Sequence, residues 1–220
     1  MIKITIAAIL ILTIMAGIVF VQLKKDHSPP QESSPVKLVN EQELSPQSYS
    51  GYWEKAENEI FAIIREINPS LTTDTIEIIS AKIIQCSRRY YINPYLIVAI
   101  IYGESRFIPH VTGTSGDAGL MQIIPSTAKH IASSMGYQEY NLTDIETNIE
   151  FGCWYLSRLK ILSGGNYIEA LARYNQGGNW RGGGEKYAWA IINQAEKIGI
   201  PMKILLEEER LNHLTNISDL

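Results

Sequence analysis

Residues Pro94 to Tyr102 read PYLIVAIIY, nine positions without a charge. A helix that is apolar all round belongs in a protein interior, so the rest of the chain has to enclose this segment on every side. Asn93-Pro94 marks its start, because proline is at home in the first turn of a helix. Gly103-Glu104 follows its last apolar residue, so the Glu104 carboxylate emerges from inside the protein. Partial desolvation and the negative end of the helix dipole both disfavour the charged carboxylate and raise its pKa. A general acid needs that environment, although position alone also fits a surface glutamate at a helix end.

The flanking sequence supplies helices to surround it. A first helix is expected over Glu54 to Ile67, ended by Asn68-Pro69, and a second from a Thr73-Asp74 cap to the Asn93-Pro94 break. Tyr52 and Trp53, ahead of the first helix, are read as packing residues rather than sugar contacts. Proline, threonine and glycine between Arg106 and Ser115 predict a loop, with a helix from Pro125 to Met135 stopped by Gly136. Asp144 to Leu162 reads as one amphipathic helix; Gly152 in its middle costs about 1 kcal/mol against alanine, which points to a close approach there. Tyr167 to Tyr174, Glu185 to Ile198 and Met202 to Leu211 complete the helices. The expected class is all-α, with at most a short hairpin over Leu120 to Ile123.

Net charge is -4 over 220 residues, with no basic cluster beyond Arg88-Arg89 and Lys24-Lys25, which argues against nucleic acid as a partner. Ile4 to Leu23 carries no charge and is long enough to span a bilayer. It is read as an anchor in residues 1–25, a secretory signal being the rival. Residues 26–50, rich in Pro, Ser, Gln and Glu, read as a flexible spacer, leaving 51–220 as the folded domain. The only cysteines, Cys86 and Cys153, are too few for a zinc site. Each falls on an apolar helix stripe, where they could pair as a disulfide or stay buried separately as thiols. His110 and His130 have no ligand spacing, and Gly177 to Gly184 lacks the lysine and hydroxyl residue of a phosphate loop. No metal or cofactor is expected.

Three stretches then combine: Glu104-Ser105-Arg106-Phe107; Ser115-Gly116-Asp117-Ala118-Gly119-Leu120-Met121-Gln122-Ile123 with Pro125-Ser126-Thr127-Ala128; and Ala172-Arg173-Tyr174-Asn175-Gln176-Gly177. In order and spacing they resemble the three motifs of the SLT-type lytic transglycosylases, over about residues 75–195. Between Ser115 and Leu120 the link is shorter than in many members. The resemblance implies a lysozyme-like helical domain that acts on peptidoglycan outside the cytoplasm. It implies cleavage of the MurNAc–GlcNAc β-1,4 bond without water, giving 1,6-anhydroMurNAc ends. Glu104 would be the single acid and base. Ser115 and Gln122 would hydrogen-bond near the cleaved sugar, Met121 would pack on it, Tyr174 would orient the acid, and Asn175 would be the neighbouring motif residue.

Residue by residue, Met121 also fits a core position, Ser115 a turn and Asn175 a helix cap. Asp117 is the one nearby second carboxylate, and between two glycines it reads first as a turn residue. Two alternatives keep the same domain: a hydrolytic muramidase, and a glycan-binding module without cleavage. A secretion, conjugation or phage apparatus is the expected setting if the role is local.

Overall fold

A computed structural model of the chain describes residues 46–177 and 183–206. The expected anchor over 4–23, most of the spacer, the middle of the glycine-rich loop and the far end of the last helix lie outside these residues. Among the described residues no helix is long and apolar enough to cross a membrane.

Eight helices make up the described fold: α1 Pro46–Ile67, α2 Thr73–Tyr90, α3 Pro94–Ser105, α4 Pro125–Met135, α5 Ile145–Leu162, α6 Tyr167–Gln176, α7 Glu185–Lys197 and α8 Met202–Leu206. Helix α1 begins eight residues before the expected Glu54, and takes in the last residues of the stretch read as spacer. The side chains of Thr72, Asn93, Asp144 and Asn166 each accept a backbone N–H in the first turn of the helix that follows them, as N-cap residues do.

Helix α3 lies at the centre. Leu96 through Ile101 are six consecutive residues with no exposed surface, more than one full turn, so every face of the helix is covered. Helices α1, α2, α7 and α8 pack around it, and α2 packs along α5, which in turn packs on α4 and α6. Trp53 is buried in this core, as expected.

The segment after α3 contains no strand among the described residues. In place of the expected hairpin, two isolated antiparallel bridges join Thr112 to Ala118 and Ala118 to Ile123. Ala118 and Ile123 exchange both backbone hydrogen bonds, at 3.2 and 3.1 Å, around the Gly119–Gln122 turn. The second arm has no length to extend a ladder, because Ile124 is already the N-cap of α4 and Pro125 its first residue.

Candidate active site

Glu104 occupies the last turn of α3. The chain then leaves abruptly, because Arg106 and Phe107 both adopt left-handed conformations, at φ 53 and 58. Two such residues in succession are costly for L-amino acids, and burial of Phe107 with no exposed surface holds them there. The Asn68 amide adds a hydrogen bond to the Phe107 carbonyl at 3.1 Å.

Gly103, beside the acid, has no room for a side chain: a Cβ there would lie 2.4 Å from Ile191 Cδ1 of α7. That missing side chain lets α7 come against α3. Tyr187, one turn before Ile191 on the same helix face, thereby reaches the acid, and its hydroxyl donates to Glu104 Oε1. Burial pushes the Glu104 carboxyl above its ordinary value; the Tyr187 hydrogen bond acts against that shift and the charge of Asp117 adds to it. Burial and the neighbouring Glu104 charge also push the Tyr187 phenol well up, so it stays a donor.

The Tyr174 hydroxyl donates to the Met121 carbonyl at 2.9 Å, not to Glu104. The orienting bond expected of Tyr174 is made by Tyr187, because α6 ends over the Gly119–Gln122 turn while α7 runs against α3. Met121 is fully buried, and a Cβ on Gly152 would lie 2.3 Å from its sulfur. This is the close approach expected at Gly152; it places Met121 in the core, with no exposed surface to offer a sugar. Gln122 sits at φ 46, its Nε2 donating to Gly119 O at 2.7 Å and Val111 O at 3.2 Å. Ser115 is exposed, and its backbone N–H donates to Asp117 Oδ1 at 3.2 Å. Asn175 is exposed in the last turn of α6.

The transglycosylase SLT domain model matches residues 81–190, which is 110 of 220 positions. The chain belongs to the transglycosylase SLT domain family. The soluble lytic murein transglycosylases of Salmonella typhimurium and Escherichia coli K12 are each 39% identical to it over 84 residues, 36% of this chain. These matches span 13% of the relatives' own length. Lytic transglycosylase Slt from Pseudomonas aeruginosa, solved as an inactive mutant, shares the fold at TM-score 0.50 and 22% identity. That likeness covers 74% of this chain and 32% of that one. The SLT match takes in α3, the turn, Tyr174 and Tyr187, and leaves α1 and α8 outside it.

Inside the SLT segment, two features escaped the sequence reading. Asn148 of α5 is fully buried and bonds to the turn. Glu150, also buried, pairs with Lys82 at 2.5 Å and Arg89 at 2.8 Å and accepts from the Tyr90 hydroxyl. Burial pushes the Glu150 carboxyl up, but hydrogen bonds from Lys82 and Tyr90 and the charges of Lys82 and Arg89 outweigh it, so the net shift is downward. Four-residue spacing can flag a local ion pair, but nothing in a sequence flags one between positions 82 and 150. Cys86 and Cys153 are free thiols, both buried. The Cys86 thiol donates to Glu150 Oε2 at 3.5 Å. In this structure the two thiols are not bonded, and the helices that carry them, α2 and α5, pack together.

Proposed function

We propose that this SLT chain cleaves the β-1,4 bond between N-acetylmuramic acid and N-acetylglucosamine in peptidoglycan without water, leaving 1,6-anhydromuramyl ends. The observation that supports the reading is Glu104, a carboxyl held above its ordinary pKa by burial and in contact with one phenol. Protonated Glu104 gives its proton to the leaving glycosidic oxygen, while the carbonyl oxygen of the sugar's 2-acetamido group attacks C1. Substrate-supplied nucleophiles of this kind are a recognised exception to two-carboxylate glycoside cleavage. The resulting carboxylate, accepting the Tyr187 hydrogen bond, then takes the proton of the C6 hydroxyl as that oxygen closes on C1 and expels the acetamido oxygen. Burial assists the first half of this cycle and Tyr187 the second. Gln122 serves as the sugar contact of the turn. The substrate calls for a domain in the bacterial envelope outside the cytoplasm, with residues 4–23 as its anchor.

One observation favours a second reading. The charge of Asp117 reaches Glu104, and a second carboxylate could instead direct a water, making the chain a muramidase. Digesting purified peptidoglycan with the full chain and weighing the muropeptides separates the two. Anhydro ends support lytic cleavage, hydrated reducing ends assign a hydrolase, and no release leaves a glycan-binding module.

A further inference from the structure

Asn148 lies outside the three motif stretches, yet its fully buried side chain is spent on the turn that carries Gln122. Its Oδ1 accepts the Met121 N–H at 2.7 Å, and its Nδ2 donates to Ala118 O and Leu142 O, each at 2.9 Å. The partners fix which atom is which, since a backbone N–H only donates and a carbonyl only accepts. Gly119 leaves the space for this contact: a Cβ there would lie 2.3 Å from Asn148 Nδ2. From the other side, the Tyr174 hydroxyl holds the Met121 carbonyl at 2.9 Å. Both backbone polar groups of Met121 are thus tied to buried side chains.

The next residue is Gln122, held at φ 46, a left-handed region that a side-chain-bearing residue enters only at a cost. Its two amide hydrogens are committed to Gly119 O and Val111 O, so what it can still offer a ligand is an acceptor. A sugar hydroxyl or an acetamido N–H answers that polarity; a carbonyl does not. We infer that Asn148 is a positioning residue of the glycan site, holding the Ala118–Ile123 turn so that the Gln122 carboxamide presents its oxygen to a donor on the sugar. This inference rests on the lytic reading above.

The test uses the full chain on soluble glycan strands from peptidoglycan, at a temperature well below the unfolding midpoint of every variant. Asn148→Ser removes the reach to all three backbone partners. Turnover per folded molecule should fall at least about tenfold, mostly in kcat, because the glycan still binds but is misaligned. A purely structural asparagine would lower the midpoint and leave kcat per folded molecule within about twofold of wild type, which would overturn the inference. Where the serine variant does not fold, Asn148→Asp takes its place, keeping the shape and the acceptor but losing both donations. If neither folds, Asn148 is a determinant of the fold and the inference is likewise overturned. Failure of the underlying lytic reading looks different: wild type itself would release no anhydro ends.

Discussion

Replacing Tyr187 with phenylalanine keeps the ring between α7 and α3 and removes one atom, the hydroxyl that donates to Glu104 Oε1. A hydrogen bond to an ionised acceptor contributes about 1.5–3 kcal/mol, and it favours the carboxylate over the acid. At about 1.4 kcal/mol per tenfold, losing it should move the ionisation of Glu104 toward the acid by roughly ten- to a hundredfold. The sign follows from the opposing influences at this group: burial raises the Glu104 pKa and Tyr187 lowers it, so removing Tyr187 leaves the rise unopposed. Glu104 then stays a proton donor to higher pH and becomes harder to convert to the carboxylate that retakes a proton. Release of anhydro-muropeptides, followed across pH, should show a lower maximum and an alkaline limb displaced upward. Tyr174→Phe is the control, since its hydroxyl bonds Met121 O. It should cost about 0.5–1.5 kcal/mol of stability and leave the shape of the profile unchanged. If the Tyr187→Phe profile superimposes on wild type after scaling, or if only Tyr174→Phe moves it, the assignment of the orienting tyrosine is wrong.

Glu104→Gln should lower muropeptide release at least about a hundredfold, the scale of acid-base catalysis, and retention of a tenth of wild-type rate would remove Glu104 from the role. Because the folded-state pKa of Glu104 is raised, its ionised form opposes folding at neutral pH. The glutamine variant should therefore melt no lower than wild type at pH 7, and any gain should vanish as pH falls below the ordinary carboxylate range. Glu150→Gln leaves Lys82 facing an uncharged partner in a buried setting, a break that costs about 3–5 kcal/mol and should lower the melting midpoint at neutral pH. The folded-state pKa of Glu150 is lowered, so its contribution is present above the ordinary carboxylate range and is lost as pH falls through the lowered value. Melts of the two proteins should accordingly converge in acid, and equal midpoints at neutral pH would refute the pairing energy. Gly152→Ala forces a methyl to within 2.3 Å of the Met121 sulfur, overpacking that should cost about 1–3 kcal/mol in a denaturant titration.

The parts of the fold legible in the sequence were those set by neighbours along the chain. The charge-free run from Pro94 announced a central helix, Asn93-Pro94 its start, and Gly136 a stop to the helix from Pro125; each of these is a local matter of hydrogen bonds or dihedral angles. The start of α1 was missed because Pro46 begins a polar turn whose composition resembles a spacer, although proline at the head of a helix is itself a start signal. At the site, the position of Glu104 at the end of α3 could be read because it depends on one helix. Tyr187, 83 positions away, could not, because its approach depends on an absent side chain at Gly103 and on how α7 packs. Asn148 was hidden for a similar reason: within α5 it looks like an ordinary polar residue, and only the turn lying over it reveals where its hydrogen bonds go.

The enclosure of α3 also bears on how the molecule comes apart. Amides of a helix covered on every face exchange with solvent only through the largest openings a domain makes, whereas loops and chain ends open at little cost. Many enzymes carry their reactive groups on such easily opened segments and lose activity on warming before they melt. Here Glu104 is attached to that enclosed helix, and deuterium uptake at Leu96–Ile101, thermal inactivation and global unfolding should follow one common curve.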